Sequence, residues 1–132
     1  MKIPLTYRKT LASTRAAKGR RAEVAALKFL QHEGLHLVDR NFRCRLGEVD
    51  LVMLDHGCLV FIEVRYRSER CFTSAALSVT GQKQTRIALT AEFFLSRQPA
   101  LSNHPVRFDV VAFDGGETGP SRIQWIRDAF RV

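Results

Sequence analysis

The run Gly47–Arg67, GEVDLVMLDHGCLVFIEVRYR, leaves few folds open to this chain. Two apolar segments of strand length flank Asp55, His56 and Gly57, which read as a tight turn, so the run predicts a β-hairpin. Residues alternate sides along a strand. From Gly47 to Leu54, Val49, Leu51 and Met53 fall on one face and Asp50, Val52 and Leu54 on the other. Only Asp50 interrupts the apolar character of either face, as expected of a central strand covered on both sides. From Cys58 to Arg67, Leu59, Phe61, Glu63, Arg65 and Arg67 share one face; Val60, Ile62, Val64 and Tyr66 share the other. A sheet covered on both sides needs a helical layer on each, which makes this an α/β chain.

The flanking sequence supplies those layers. Residues 1–13 include Pro4 and show no usable periodicity, and are read as a flexible basic tail before a single domain, 14–132. Ser13 or Thr14 caps an expected helix running to about Glu33, stopped by Gly34, with Ala22, Ala25, Ala26, Phe29 and Leu30 as its apolar face. Leu35–Cys44 reads as a first strand, with Leu35, Leu37 and Asn41 on one side and His36, Val38 and Phe42 on the other. Ser68–Val79 reads as a loop with a short helical turn at Ser74–Ser78. Thr80 then caps a second helix, about Gly81 to Gln98, that ends before Pro99. Val106–Asp114 is a further strand and Ile123–Ile126 a short closing one. The order αβββαβ, with a crossover helix returning the fourth strand parallel to its neighbour, predicts a mixed sheet flanked by helices.

Charge narrows the partner. Lys and Arg number 21 against 13 Asp and Glu, a net charge of +8. Three of the acids, Glu48, Asp50 and Glu63, lie in the one hairpin, so the remainder is more basic still. That balance suits a polyanion, and Arg40, Arg43, Arg45 and Arg67 are the expected phosphate contacts. Exposed arginines on an outer strand are an equally ordinary reading. The longest wholly apolar run, Cys58–Ile62, is too short to span a membrane, and the N-terminus lacks the apolar core of a signal peptide. Three cysteines without a CxxC pair favour reduced thiols in a cytoplasmic protein over disulfides or zinc.

Asp50 and Glu63 carry the chemistry. An ionised carboxylate on an apolar strand is costly unless it is paired or binds a metal. Mg²⁺ or Mn²⁺ suits the position, since hard cations take one or two carboxylates plus waters and substrate phosphate. The backbone carbonyl of Val64 is a candidate third ligand. Such an ion would lower the pKa of water and stabilise charge on a phosphoryl oxygen. Two helix-mouth charges sit at the tops of apolar stripes. Glu23 is followed by Ala26, Leu27 and Leu30, and Lys83 by Ile87, Ala91 and Phe94. Glu23 is a candidate to orient water, and Arg65 and Lys83 to stabilise developing negative charge. The plainer alternatives stay open: a glutamate turned to solvent or paired with Arg20, a lysine with only its stem on the core, and Asp50 in a buried ion pair with Arg65, Arg67 or Lys83.

Six motifs then carry a resemblance. They are Gly19-x-x-x-Glu23, Asn41-Phe42-Arg43-Cys44-Arg45, Gly47-Glu48-Val49-Asp50-Leu51-Val52, Phe61-Ile62-Glu63-Val64-Arg65-Tyr66-Arg67, Val79-Thr80-x-x-Lys83-Gln84 and Arg107-Phe108-Asp109-Val110-Val111-Ala112. Over about Lys18 to Phe130 the chain resembles the small bacterial YraN-type family of predicted endonucleases. The resemblance implies the restriction-endonuclease-like fold of the PD-(D/E)xK superfamily, closest to archaeal Holliday-junction resolvases. It implies that the signature aspartate is Asp50, the second acid Glu63 and the helical glutamate Glu23. The signature lysine falls on Arg65, a departure: arginine keeps the charge but, with a pKa above ~12, is no base. Lys83 reaching in from the helix is the alternative source of an amine. The expected function is metal-dependent hydrolysis of DNA, with branched, junction-like DNA as a candidate substrate and a homodimer as a candidate active unit. The alternative is a non-catalytic nucleic-acid-binding module on the same fold.

Overall fold

A computed structural model describes residues 5–67, 74–75, 77–115 and 122–131, with side chains from residue 19 onward. Its elements are α1 (Leu5–His32), β1 (His36–Cys44), β2 (Gly47–Asp55), β3 (Cys58–Arg67), α2 (Gly81–Ser96), a 3₁₀ turn at Pro99–Leu101, β4 (Val106–Asp114) and β5 (Arg122–Ile126). The strands form one five-stranded sheet in the order β1-β2-β3-β4-β5. β1, β2 and β3 are an antiparallel meander, β4 returns parallel to β3 after the α2 crossover, and β5 closes antiparallel. This is the expected mixed α/β architecture, consistent with a restriction-endonuclease-like fold.

Two cores result, one per face. On one, Ile87, Ala91 and Phe94 of α2 pack with Val49, Val52, Leu59, Phe61 and Val110. On the other, Ala22, Ala26, Leu27 and Leu30 of α1 pack with Leu51, Met53, Val60, Ile62 and Val111. Aromatic rings tie the α2 face together: Phe61 meets Phe94 edge-on with centroids 5.8 Å apart, and Phe42 meets Phe94 at 5.1 Å. Among the described residues no helix is long and apolar enough to cross a membrane. Cys44 and Cys58 are free thiols; Cys71 lies outside the described residues.

Three local expectations need correction. Helix α1 begins at Leu5, not at a Ser13 or Thr14 cap, so residues 5–13 are helical rather than an irregular tail. The stretch after Pro4 is rich in Leu, Ala, Lys and Arg and contains no further proline, which favours helix. In β1 the ladder shifts between Leu37 and Asp39, and Asn41 takes a positive φ of 53°. Strict alternation is lost there: Leu37 stays 39% exposed while Leu35 is buried, although Val38 and Phe42 share the α2 core as expected. The same irregularity reaches β2. Val49 joins Val52 and Leu54 on the α2 side, not Leu51 and Met53 on the α1 side.

Candidate active site

The site begins where the β2–β3 ladder ends. The last pair is Leu51 with Ile62. Beyond it, the backbone N–H of Val64 donates to Asp50 Oδ2 at 2.8 Å, so a carboxylate takes the place of the next strand's carbonyl. Gly47 sets the approach of β2. Its φ of 153° suits glycine, and a Cβ there would lie 2.9 Å from Thr90 Oγ1 of α2. Glu48 and Asp50 follow directly. Burial and then repulsion from Glu63, with smaller contributions from Glu23 and Glu48, push the Asp50 carboxyl up to about 8; the Val64 amide only partly offsets them.

Glu63 approaches the same point from β3, its side chain only 6% exposed. Lys83 Nζ lies 2.6 Å from Glu63 Oε1, and Arg65 Nη1 lies 3.9 Å from the same oxygen. Arg65 also donates through Nη2 to the Ser78 carbonyl at 3.3 Å. The position of Lys83 follows from the Thr80 cap, whose hydroxyl accepts the Lys83 backbone N–H at 3.2 Å and starts α2 at the expected residue. Ser74 and Ser78 bracket a turn, closed by Ser78 N–H donating to the Ser74 carbonyl at 3.0 Å.

Glu23, Glu48, Asp50, Glu63, Arg65 and Lys83 line a single cleft of about 340 Å³, with Gly19, Ala22, Val64 and Tyr66 completing the wall. All five expected catalytic residues and the three expected metal-ligand positions therefore meet. The alternative in which Asp50 is neutralised by Arg65, Arg67 or Lys83 is not what the structure shows. Arg65 and Lys83 are paired with Glu63, and Arg67 donates to Asp114 at 2.6 and 2.8 Å.

The four arginines expected to meet phosphates lie elsewhere. Arg40, Arg43 and Arg45 are exposed on and after β1, with Arg43 3.1 Å from Glu48. Arg67 departs from that expectation. It is buried beside its parallel neighbour Asp114, and its guanidinium holds that carboxyl below the ordinary range. Sequence reasoning missed Glu48 and Tyr66 as cleft residues. Glu48 was signalled by its place two residues before Asp50. Alternation predicts Tyr66 on the face opposite Glu63, which hides its place at the cleft.

Oxygen donors dominate what the cleft offers a cation. Among the described residues no group of three His, Cys, Asp or Glu side chains is placed to hold a metal ion. The donor set is two carboxylates with the backbone of Val64 beside them. That set fits Mg²⁺ or Mn²⁺, which take few protein ligands.

The family model described as uncharacterised protein family UPF0102 matches residues 22–113. A UPF0102 protein of Pseudomonas putida strain GB-1 is 47% identical over 119 residues, 90% of this chain and 97% of the relative. One of Nitrosococcus oceani is 48% identical over 120 residues, 91% and 96% respectively. One of Pseudomonas syringae pv. syringae strain B728a is 46% identical over 118 residues, 89% and 96%. The chain belongs to the UPF0102 family.

Proposed function

We propose that this UPF0102 protein is a nuclease of the PD-(D/E)xK type that hydrolyses phosphodiester bonds in DNA, with junction-like branched DNA as the leading substrate. The observation that carries the reading is the convergence of Glu23, Asp50, Glu63, Arg65 and Lys83, from four separate elements, on one cleft. Asp50 and Glu63, with the Val64 carbonyl, are the residues that would hold Mg²⁺ or Mn²⁺. When bound, such an ion would supply Lewis-acid polarisation of the phosphoryl oxygen and a more acidic water. Glu23, at the α1 wall of the cleft, orients the water for in-line attack. Water oxygen bonds to phosphorus as it gives up a proton to bulk water, the bond to the leaving nucleoside oxygen breaks, and the leaving oxygen takes up a proton from bulk water. Lys83 and Arg65 stabilise the charge that builds on the phosphoryl oxygens.

The amine of the superfamily signature is supplied here from α2. Arg65 stands where the signature lysine belongs, but the group closest to Glu63 is Lys83. The reading also places the protein in the cytoplasm, acting on two-fold branched substrates as a homodimer. A second reading, a non-catalytic nucleic-acid-binding module, is favoured by Arg65 alone. Purified protein incubated with branched and flapped DNA and Mn²⁺ separates the two. Cleavage by wild type and none by the Asp50→Ala, Glu63→Ala double variant supports the nuclease. Binding without metal-dependent cleavage supports the module.

A further inference from the structure

Helix α1 carries two surfaces on interleaved residues. Gly19, Ala22 and Glu23 face the acidic cleft, while Arg20, Arg21, Val24, Ala25 and Lys28 line a second groove of about 460 Å³. The groove is of opposite character to the cleft. Its described lining has three cations, no carboxylate, and a floor of two small apolar side chains. Arg20, Val24 and Lys28, spaced i, i+4 and i+8, form one line along the helix. The line does not hold the helix in place: α1 is seated by Ala22, Ala26, Leu27 and Leu30, whereas Arg20 and Lys28 are exposed and Val24 is 38% exposed. At the cleft itself stands Tyr66, a residue 40% exposed.

We infer that this groove is a track for an unpaired nucleic-acid strand entering the cleft, with Arg20 and Lys28 on its phosphates, Val24 under a base or sugar, and Tyr66 stacking on a base at the rim. Charge complementarity chooses a polyanion. The apolar floor and the aromatic choose an unpaired one, because a duplex turns its base faces inward and offers a protein surface mainly phosphates. The span is suitable: the eight steps from Arg20 to Lys28 rise roughly 12 Å, enough for the two cations to meet different phosphates of one strand. The inference rests on the nuclease reading for what happens in the cleft, but not for binding in the groove.

Fluorescence anisotropy in EDTA, which separates binding from cleavage, tests it with labelled oligothymidylate, labelled oligouridylate and a duplex of equal length. At least one single strand should bind more tightly than the duplex, and the two oligomers report which sugar is preferred. The Arg20→Glu, Lys28→Glu double variant should weaken that binding at least ~10-fold and flatten its log-salt slope by about 1.4, two contacts on a single strand. Tyr66→Ala should weaken it by roughly 5- to 100-fold, with Tyr66→Phe close to wild type. Arg97→Glu, a charge reversal at the exposed C-cap of α2 where the guanidinium stacks on Phe93, should leave binding unchanged and so control for a charge reversal away from the groove.

Equal affinity for duplex and single strand, or wild-type binding by the double variant, overturns the inference. So does binding to anionic phospholipid vesicles that depends on Arg20 and Lys28 when neither oligomer binds. Groove-dependent strand binding in a protein that cuts nothing with Mn²⁺ leaves the track standing and removes the nuclease. Cleavage with groove-independent binding does the reverse.

Discussion

Lys83 Nζ lies 2.6 Å from Glu63 Oε1, which closes an amine from the first turn of α2 onto a carboxylate of β3. The pair has two consequences if Glu63 holds a divalent ion. The ammonium repels that ion across a partly desolvated cleft, and it is the donor placed to meet a phosphoryl oxygen. Lys83→Gln should therefore lower Mn²⁺-dependent cleavage by about 10²- to 10³-fold while tightening Mn²⁺ binding by about 10-fold, read by isothermal titration. Arg65→Lys added to Lys83→Gln should restore part of the activity, because it returns an amine to the Glu63 face of β3. A Lys83→Gln protein that cuts at the wild-type rate would remove Lys83 from the chemistry.

The raised Asp50 carboxyl makes stability depend on pH in an unusual direction for an aspartate. Its ordinary value is 3.8 and the folded value about 8. Between those values the folded protein holds a proton that the unfolded chain has released, so stability falls as pH rises, by roughly 1.4 kcal/mol per unit. The contribution is complete below about pH 4 and gone above about pH 8. Urea melts in EDTA at pH 6 and pH 8.5 should show this loss in wild type and a smaller one in Asp50→Asn. Mn²⁺ should recover stability at pH 8.5 in wild type, not in Asp50→Asn, since the ion takes the place of the proton.

How much of this could be read from the residues depended on the range of the contacts. Glu63 and Arg65 were placed on one face by strand alternation, and the Thr80 cap fixed where α2 begins; both are local rules. Asp50 was correctly singled out as the polar break in an apolar strand. Alternation does not predict the face of its neighbour Val49, because the β1 irregularity near Asp39 and Asn41 interrupts the pattern. Glu23 and Lys83 carried only weak signals, because each meets the cleft through tertiary packing of a helix on the sheet. Asp109 gave no local sign of its role. Its partners are Arg107, Trp125 and Asp128, and no spacing rule joins a strand aspartate to an indole 16 residues away.

Arg67 distinguishes a framework pair from a phosphate contact. Its guanidinium donates twice to Asp114, across the parallel β3–β4 register, and its side chain is 8% exposed. Arg67→Ala should cost about 2–4 kcal/mol in urea unfolding, because it strands a half-buried carboxylate. Depression of the Asp114 carboxyl adds stability above its ordinary pKa, and that part is lost as pH falls through the lower folded value. The salt slope of DNA binding by the folded variant should match wild type; a slope lower by about 1 would return Arg67 to the nucleic-acid surface.

Asp109 is the buried hub at the other end of β4. It is fully buried, and its two oxygens accept Arg107 Nε at 2.8 Å, Arg107 Nη2 at 2.9 Å, Trp125 Nε1 at 2.9 Å and the Asp128 backbone N–H at 2.9 Å. Arg107 also donates to Asp55 Oδ2 at 2.9 Å, which ties the β2–β3 turn to β4. Asp109→Ala leaves those donors facing a cavity and should cost about 3–5 kcal/mol. Asp109→Asn keeps the volume but sets an amide NH₂ against several N–H donors, and should cost less than alanine yet more than 1 kcal/mol. The single tryptophan reports the event directly, because loss of its acceptor should shift Trp125 emission in the folded baseline before global unfolding. Asp109 does not line the cleft, so Mn²⁺ affinity of folded Asp109→Asn should equal wild type. A variant that loses metal binding while keeping its melt would show instead that the hub acts on the site.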